Sequence, residues 1–131
     1  MRIMRSIAAI AVGLGFMAAT VTVGTLVASA LIGSGPTATV TSFSLNLAIC
    51  GIGAILGGWL AARIASFAPY GHAAVMAAIV AVLSITPATG APPPAYPGWY
   101  PSVLGLVAVL GVLLGGKLRA AAASGAGTVV A

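Results

Sequence analysis

Side chains that could perform chemistry are few in this chain, and the missing types restrict its function most. Its 131 residues include one histidine, one cysteine and no aspartate or glutamate. Zinc and calcium sites need several histidine, cysteine or carboxylate ligands, and the four methionines show no pairing with the histidine that would suit a haem. We therefore expect no cofactor. Because Cys50 is the only cysteine, no intrachain disulfide or CxxC redox pair can form.

The absence of carboxylates also bears on membrane chemistry. A proton-coupled four-helix exporter needs an intramembrane carboxylate to exchange a proton against its substrate, and this sequence contains none. No set of residues suits hydrolysis or redox chemistry either. We predict that the protein is not an enzyme.

His72 is the one side chain that titrates near neutral pH. It follows Arg63 by a short segment that carries Pro69. One interpretation is a pH-sensitive or ligand-contacting group. The interpretation that we favour is an interfacial histidine that hydrogen-bonds a backbone carbonyl or a lipid headgroup.

The basic residues lie beside apolar segments rather than in a cluster. Nucleic-acid binding needs lysine and arginine gathered on one face, so we expect no nucleic-acid partner. Membrane lipid is the predicted partner, because charges at segment ends are typical of the positive-inside pattern. Arg63 is predicted to anchor at lipid phosphates, with organisation of the neighbouring loop as the alternative. The candidate headgroup residues are Arg63, His72, Lys117 and Arg119.

The composition predicts an integral membrane protein. Hydrophobic residues make up 61% of the chain and charged residues 4%, whereas a soluble domain carries about 25% charged residues. Spanning about 30 Å of hydrocarbon takes about 20 apolar residues in a helix. Glycine and proline interrupt the apolar sequence, which predicts a single all-α domain, a four-helix transmembrane bundle, with helices over approximately 6–32, 42–63, 71–87 and 101–118 and a flexible tail over 119–131.

The charges predict the orientation of this bundle. Arg2 and Arg5 precede the first helix, Arg63 ends the second, and Lys117 and Arg119 end the fourth. In a four-helix bundle these places share one side, which the positive-inside rule assigns to the cytoplasm together with both termini. The alternative is a signal peptide cleaved after Ala30. We expect residues 1–30 to be retained, because their apolar stretch exceeds a signal peptide's usual length.

Small residues predict where the helices pack. Asn46, Cys50, Gly53 and Gly57 follow the spacing of one helical face. Gly53 and Gly57 form a GxxxG motif, which Gly111 and Gly115 repeat in the fourth helix. Small residues allow close helix approach, and an amide can hydrogen-bond across the contact. We predict packing inside one bundle; the alternative is a contact with another copy or another membrane protein.

One sequence pattern resembles a known group of proteins. Gly57-Gly58-Trp59-Leu60-Ala61-Ala62-Arg63, then His72, and a closing Leu114-Gly115-Gly116-Lys117-Leu118-Arg119, look like small uncharacterised bacterial four-helix membrane proteins. In that group a Gly-Gly-x-x-Ala-x-Arg run ends one helix and a histidine opens the next. The resemblance covers mainly the second half of the chain. It implies a bacterial inner-membrane setting and carries no activity with it.

These observations predict a small multi-pass membrane protein with a structural or accessory role. The alternative is an oligomeric transporter or channel, in which Thr41, Ser44 and Asn46 would line a path. Only the outer third of the second helix offers such a polar stripe.

Overall fold

The computed structural model describes residues 2–32, 40–65, 67–85 and 97–125. All regular structure in these ranges is helical, in the order α1 (Arg2–Ile32), α2 (Val40–Ala65), α3 (Pro69–Ile85) and α4 (Tyr100–Gly125). The predicted all-α class with four helices is therefore confirmed. The connections 33–39 and 86–96, and the tail from 126, lie outside the described residues.

Three of the helices are long and apolar enough to cross a membrane. The candidate spans are Ile3–Leu31, Ser42–Ala65 and Tyr100–Gly125. The remaining helix, α3, is apolar but has 17 residues. At about 1.5 Å per residue it is about 25 Å long, a few ångströms short of a typical hydrocarbon core.

The helix boundaries differ from the sequence prediction: α1 begins at Arg2 rather than residue 6, and α2 covers Val40–Ala65 rather than 42–63. α3 begins at Pro69, because the fixed φ angle of proline suits the first turn of a helix. α4 continues through 119–125 to Gly125, where we predicted the start of a flexible tail. Residues Ala120–Ala123 are all alanine, which has the highest helix propensity of any residue type. The helix therefore extends beyond the predicted end, and in its last turn the Ser124 hydroxyl donates to the Ala121 carbonyl at 2.9 Å.

α2 lies at the centre of the arrangement. It contacts α1, α3 and α4, whereas α1 and α4 do not contact each other within the described residues. The core that α2 shares with its neighbours consists of small side chains and two larger ones, Met76 and Val112. Apart from Tyr100, whose hydroxyl is buried, no polar or charged side chain is buried among the residues whose exposure the structure describes.

Large apolar side chains cover much of the outer surface. Leu26, Leu31 and Val82 are each more than 60% exposed, and they belong to a larger set spread over all four helices. In water, such a surface would carry a large hydrophobic cost. In a bilayer, the same side chains would be solvated by lipid tails.

Candidate functional site

Gly57 lies where the backbones of α1 and α2 come closest. A Cβ atom built on Gly57 would lie 2.8 Å from the Gly13 carbonyl oxygen, and one built on Gly13 would lie 2.9 Å from the Gly57 carbonyl oxygen. The two glycines thus face each other across the helix crossing. One turn earlier in α2, a Cβ on Gly53 would contact Thr20 and Val21 of α1 at 3.3–3.5 Å. Gly53 and Gly57 therefore both face α1.

The contact between α2 and α4 is closer still. A Cβ on Gly115 would overlap the Ile55 carbonyl, and a Cβ on Gly58 would overlap the Val112 carbonyl. A Cβ on Gly111 would lie 2.7 Å from the Cβ of Ala54. Because these obstacles are mainly backbone atoms, the helices can lie this close only with glycine at positions such as Gly58 and Gly115.

Asn46 lies at the edge of the predicted packing face of α2. Its side chain is partly exposed, and it makes no interhelical hydrogen bond to any residue that the structure describes. Cys50, one turn away, is buried in a cluster with Val80 of α3 and Ala108 of α4. The face that begins with Asn46 therefore becomes an interior face only from Cys50 onward.

Gly13 was missed by the sequence reasoning, although a signal was present. Gly13, Met17, Thr20 and Gly24 repeat the spacing of Asn46, Cys50, Gly53 and Gly57. The two sets of residues meet where Gly13 and Met17 lie against Gly57 and where Thr20 lies against Gly53, whereas Gly24 lies against Ile49, outside the α2 set. Pairing stripes of equal spacing would have identified Gly13 as the partner of Gly57.

The charged residues gather at one end of the helices, which we call the basic end. Arg5 of α1 donates from Nε to the Ile64 carbonyl of α2 at 3.2 Å. Ser6 of α1 lies 3.0 Å from His72 of α3. A Cβ on Gly116 would overlap Ala73, which brings the Lys117 segment of α4 to the same end.

His72 has a defined hydrogen-bonding arrangement. Its Nδ1 lies 3.0 Å from the Ala68 carbonyl oxygen. A carbonyl can only accept, so Nδ1 carries a proton. In the neutral ring Nε2 then accepts from the Ser6 hydroxyl at 3.0 Å. The Phe67 and His72 rings also pack edge to face at a centroid distance of 5.1 Å. Sequence reasoning placed His72 near Arg63, but its partner is Ser6, which lies 66 positions away.

The other predicted headgroup residues lie on the outer surface of the basic end. The Arg63 guanidinium sits 5.1 Å from the centre of the Trp59 ring, a cation–π distance. Arg63 and Lys117 are exposed, and Arg119 is partly exposed. These side chains are available to anionic groups outside the protein.

Aromatic side chains mark the opposite end of the helices. Phe43 of α2 packs against Tyr100 of α4 at a ring-centroid distance of 5.0 Å. Trp99, which is 55% exposed, lies edge-on to Tyr100 at 6.0 Å. Exposed tryptophan next to an apolar helix is typical of the headgroup layer.

The turn that presents His72 contains one strained residue. Ala68 has a φ angle of 48°, in the left-handed region that costs a residue with a Cβ atom about 1–2 kcal/mol. The following Pro69 disfavours the right-handed helical conformation at Ala68. The Ala68 carbonyl is the one that holds His72 Nδ1. The strained residue is thus the one whose carbonyl orients the His72 imidazole.

Ala68→Gly should stabilise the folded protein by about 1 kcal/mol, because glycine adopts a positive φ angle without steric cost. The midpoint of thermal unfolding in detergent measures this. Ala74→Gly, a control within α3, should destabilise by about 0.5–1 kcal/mol. Equal destabilisation by both substitutions would contradict a left-handed Ala68.

Comparison with known proteins adds no relative: no family model, no curated protein and no solved structure matches this chain.

Proposed function

We propose that this chain is a small inner-membrane protein of bacteria that crosses the bilayer four times and acts as a structural or accessory subunit. In this proposal both termini and the basic end face the cytoplasm. The observation that carries it is the combination of an interior packed with small apolar residues and an exterior of large apolar ones. Such a chain presents a helical surface to lipid or to another membrane protein.

The packing of the interior favours an accessory role over a channel within one copy. Glycine–backbone contacts close the space between α2 and α4, as they do between α1 and α2. Apart from Tyr100 at its aromatic end, the described core offers no polar side chain to a permeating ion. Ser44 is exposed and Asn46 partly exposed, so a polar path would have to run between copies.

Purification from native membranes in mild detergent tests this role. An accessory subunit should elute with a stoichiometric partner, and the purified chain should carry no ion flux in liposomes. A homo-oligomer that conducts ions would instead establish the channel. Gly115→Ala, which is expected to separate α2 from α4, provides a control for partner binding that depends on the intact bundle.

The proposed topology makes a prediction of its own. A periplasm-active reporter should be active when fused at Gly90 and inactive at Ser66 or Gly125, because all five basic residues fall in segments assigned to the cytoplasmic side. A cytoplasm-active reporter at the same positions should give the reverse. Periplasmic activity at Gly125 would contradict four crossings with a cytoplasmic N-terminus. If Ser66 and Gly90 were then both inactive, the 17-residue α3 would be the helix that fails to cross.

A further inference from the structure

α3 is short for a helix that crosses a bilayer. Its 17 residues measure about 25 Å along the helix axis, whereas a typical hydrocarbon core is about 30 Å thick. Pro87 stands two positions after Ile85, the last residue of α3, and disfavours a helical conformation at Thr86. A bilayer accommodates a short helix by becoming thinner around it.

α4 indicates the same thickness through a different feature. Trp99 is 55% exposed and lies beside Tyr100, the first residue of α4, while Lys117 is exposed near the other end. Exposed tryptophan and lysine at the ends of an apolar segment are typical of the two headgroup layers. The 17 positions from Tyr100 to Lys117 rise about 25 Å along the helix. Because α3 and α4 pack on each other, two adjacent helices define one thickness.

α1 is much longer than α3 and α4 require. Its candidate span, Ile3–Leu31, has 29 residues, or about 44 Å. A helix that exceeds the hydrocarbon thickness fits by tilting. α1 packs mainly on α2 and makes no contact with α4 within the described residues. The short dimension therefore belongs to α3 and α4 and not to the whole bundle.

The exposed apolar side chains of α3 and α4 form what we call the short face. Each of them is at least half exposed: Val75, Val82, Leu83, Leu106 and Leu110. We propose that the short face selects phospholipids with short acyl chains, because longer chains must be compressed to match about 25 Å of apolar surface. This names the lipid partner of the proposed membrane protein and rests on that proposed function, since α3 must cross the bilayer.

Single tryptophan probes on α3 and on α1 test this selection. Trp59→Phe and Trp99→Phe remove the native tryptophans, and Val75→Trp or Phe16→Trp then supplies one probe at a side chain that is 50% or 44% exposed. The full chain is reconstituted in mixed vesicles of dimyristoleoyl and dierucoyl phosphatidylcholine. One lipid at a time carries brominated chains, which quench tryptophan, and the quenching is normalised to vesicles of the pure brominated lipid.

The α3 probe should have the short-chain lipid as its preferred neighbour. We expect about twofold enrichment of dimyristoleoyl phosphatidylcholine over its share of the vesicle. The α1 probe should show less enrichment or none. Equal enrichment at both probes would overturn the proposal, because it would reflect the vesicle mixture rather than the short face. Enrichment of the long-chain lipid at the α3 probe would overturn it as well.

Lengthening α3 provides a second test. Insertion of four apolar residues after Ile85, the last residue of α3, adds about 6 Å to the helix. The enrichment at the α3 probe should then decrease, whereas the result at the α1 probe should not change. Undiminished selection of the short-chain lipid would show that helix length is not its cause and would overturn the proposal.

Failure of the topology gives a different result from failure of the lipid selection. If α3 does not cross the bilayer, acrylamide in the water should quench the α3 probe, and the periplasm-active reporter at Gly90 should be inactive. That outcome would overturn the inference together with the four crossings. A probe that lipid quenches and acrylamide does not, but without selection by chain length, would overturn the inference alone.

Discussion

Gly115→Ala should destabilise the protein although alanine is the better helix former. A methyl group at this position would overlap the Ile55 carbonyl and lie 2.8 Å from the Trp59 nitrogen. Both obstacles belong to the α2 backbone, which has no rotamer to change, so α4 must move away from α2. Overpacking of this kind costs about 1–3 kcal/mol, more than the gain of about 0.5–1 kcal/mol from replacing a helical glycine.

Gly15→Ala is the matched control for that experiment. Gly15 lies within α1, and a Cβ there would meet no atom within 4 Å. The same chemical change should therefore be neutral or slightly stabilising. The midpoint of thermal unfolding in detergent should fall for Gly115→Ala and hold or rise for Gly15→Ala. The reverse order would mean that α4 does not pack on α2 through Gly115.

Helix number and approximate position could be predicted from sequence because lipid imposes a simple requirement. A span needs a long apolar run, and the breaks at Gly33–Thr37 and Pro87–Tyr100 separate the runs clearly. The end of α4 was harder to place. Alanine-rich sequence such as Ala120–Ala123 is only weakly apolar, so a prediction from hydropathy ends the helix too early. The high helix propensity of alanine extends the helix to Gly125.

Contacts between helices could be predicted only in part. The GxxxG pairs predict that two helices approach closely, but the motif does not show which helix lies opposite. In the structure Gly53 and Gly57 face α1. Ser6 and His72 are separated by 66 positions, and no local pattern connects them. For Asn46, polarity predicted an interhelical hydrogen bond, but whether one forms depends on which residues lie opposite, and the sequence does not give them.

Gly57→Ile should be the most damaging substitution on the α1-facing side of α2. The new Cβ alone would lie 2.8 Å from the Gly13 carbonyl and 3.0 Å from the Met17 Cβ. The rest of the isoleucine side chain would enter space that α1 and Met76 occupy. Helices in a bilayer gain little from hiding apolar side chains from lipid, so close packing is what holds them together.

The consequence for α1 is large because its other contacts are few. It packs mainly on α2 and slightly on α3, so separation at Gly57 should release most of the helix. We expect Gly57→Ile to cost at least about 3 kcal/mol, the upper range for overpacking a close contact. Heat-induced aggregation of the detergent-solubilised variants measures this loss of stability and ranks the variants against one another.

Two substitutions in the same helix complete the comparison. Asn46→Leu should cost little, because Asn46 makes no interhelical hydrogen bond with the described residues and such a bond in a membrane averages only about 0.6 kcal/mol where it does form. Leu56→Ile, at a side chain that is 42% exposed, should be nearly silent. Gly57→Ile should therefore be far more damaging than either Asn46→Leu or Leu56→Ile. A wild-type-like Gly57→Ile together with an aggregating Leu56→Ile would mean that the glycine face of α2 looks toward lipid and that α1 packs elsewhere.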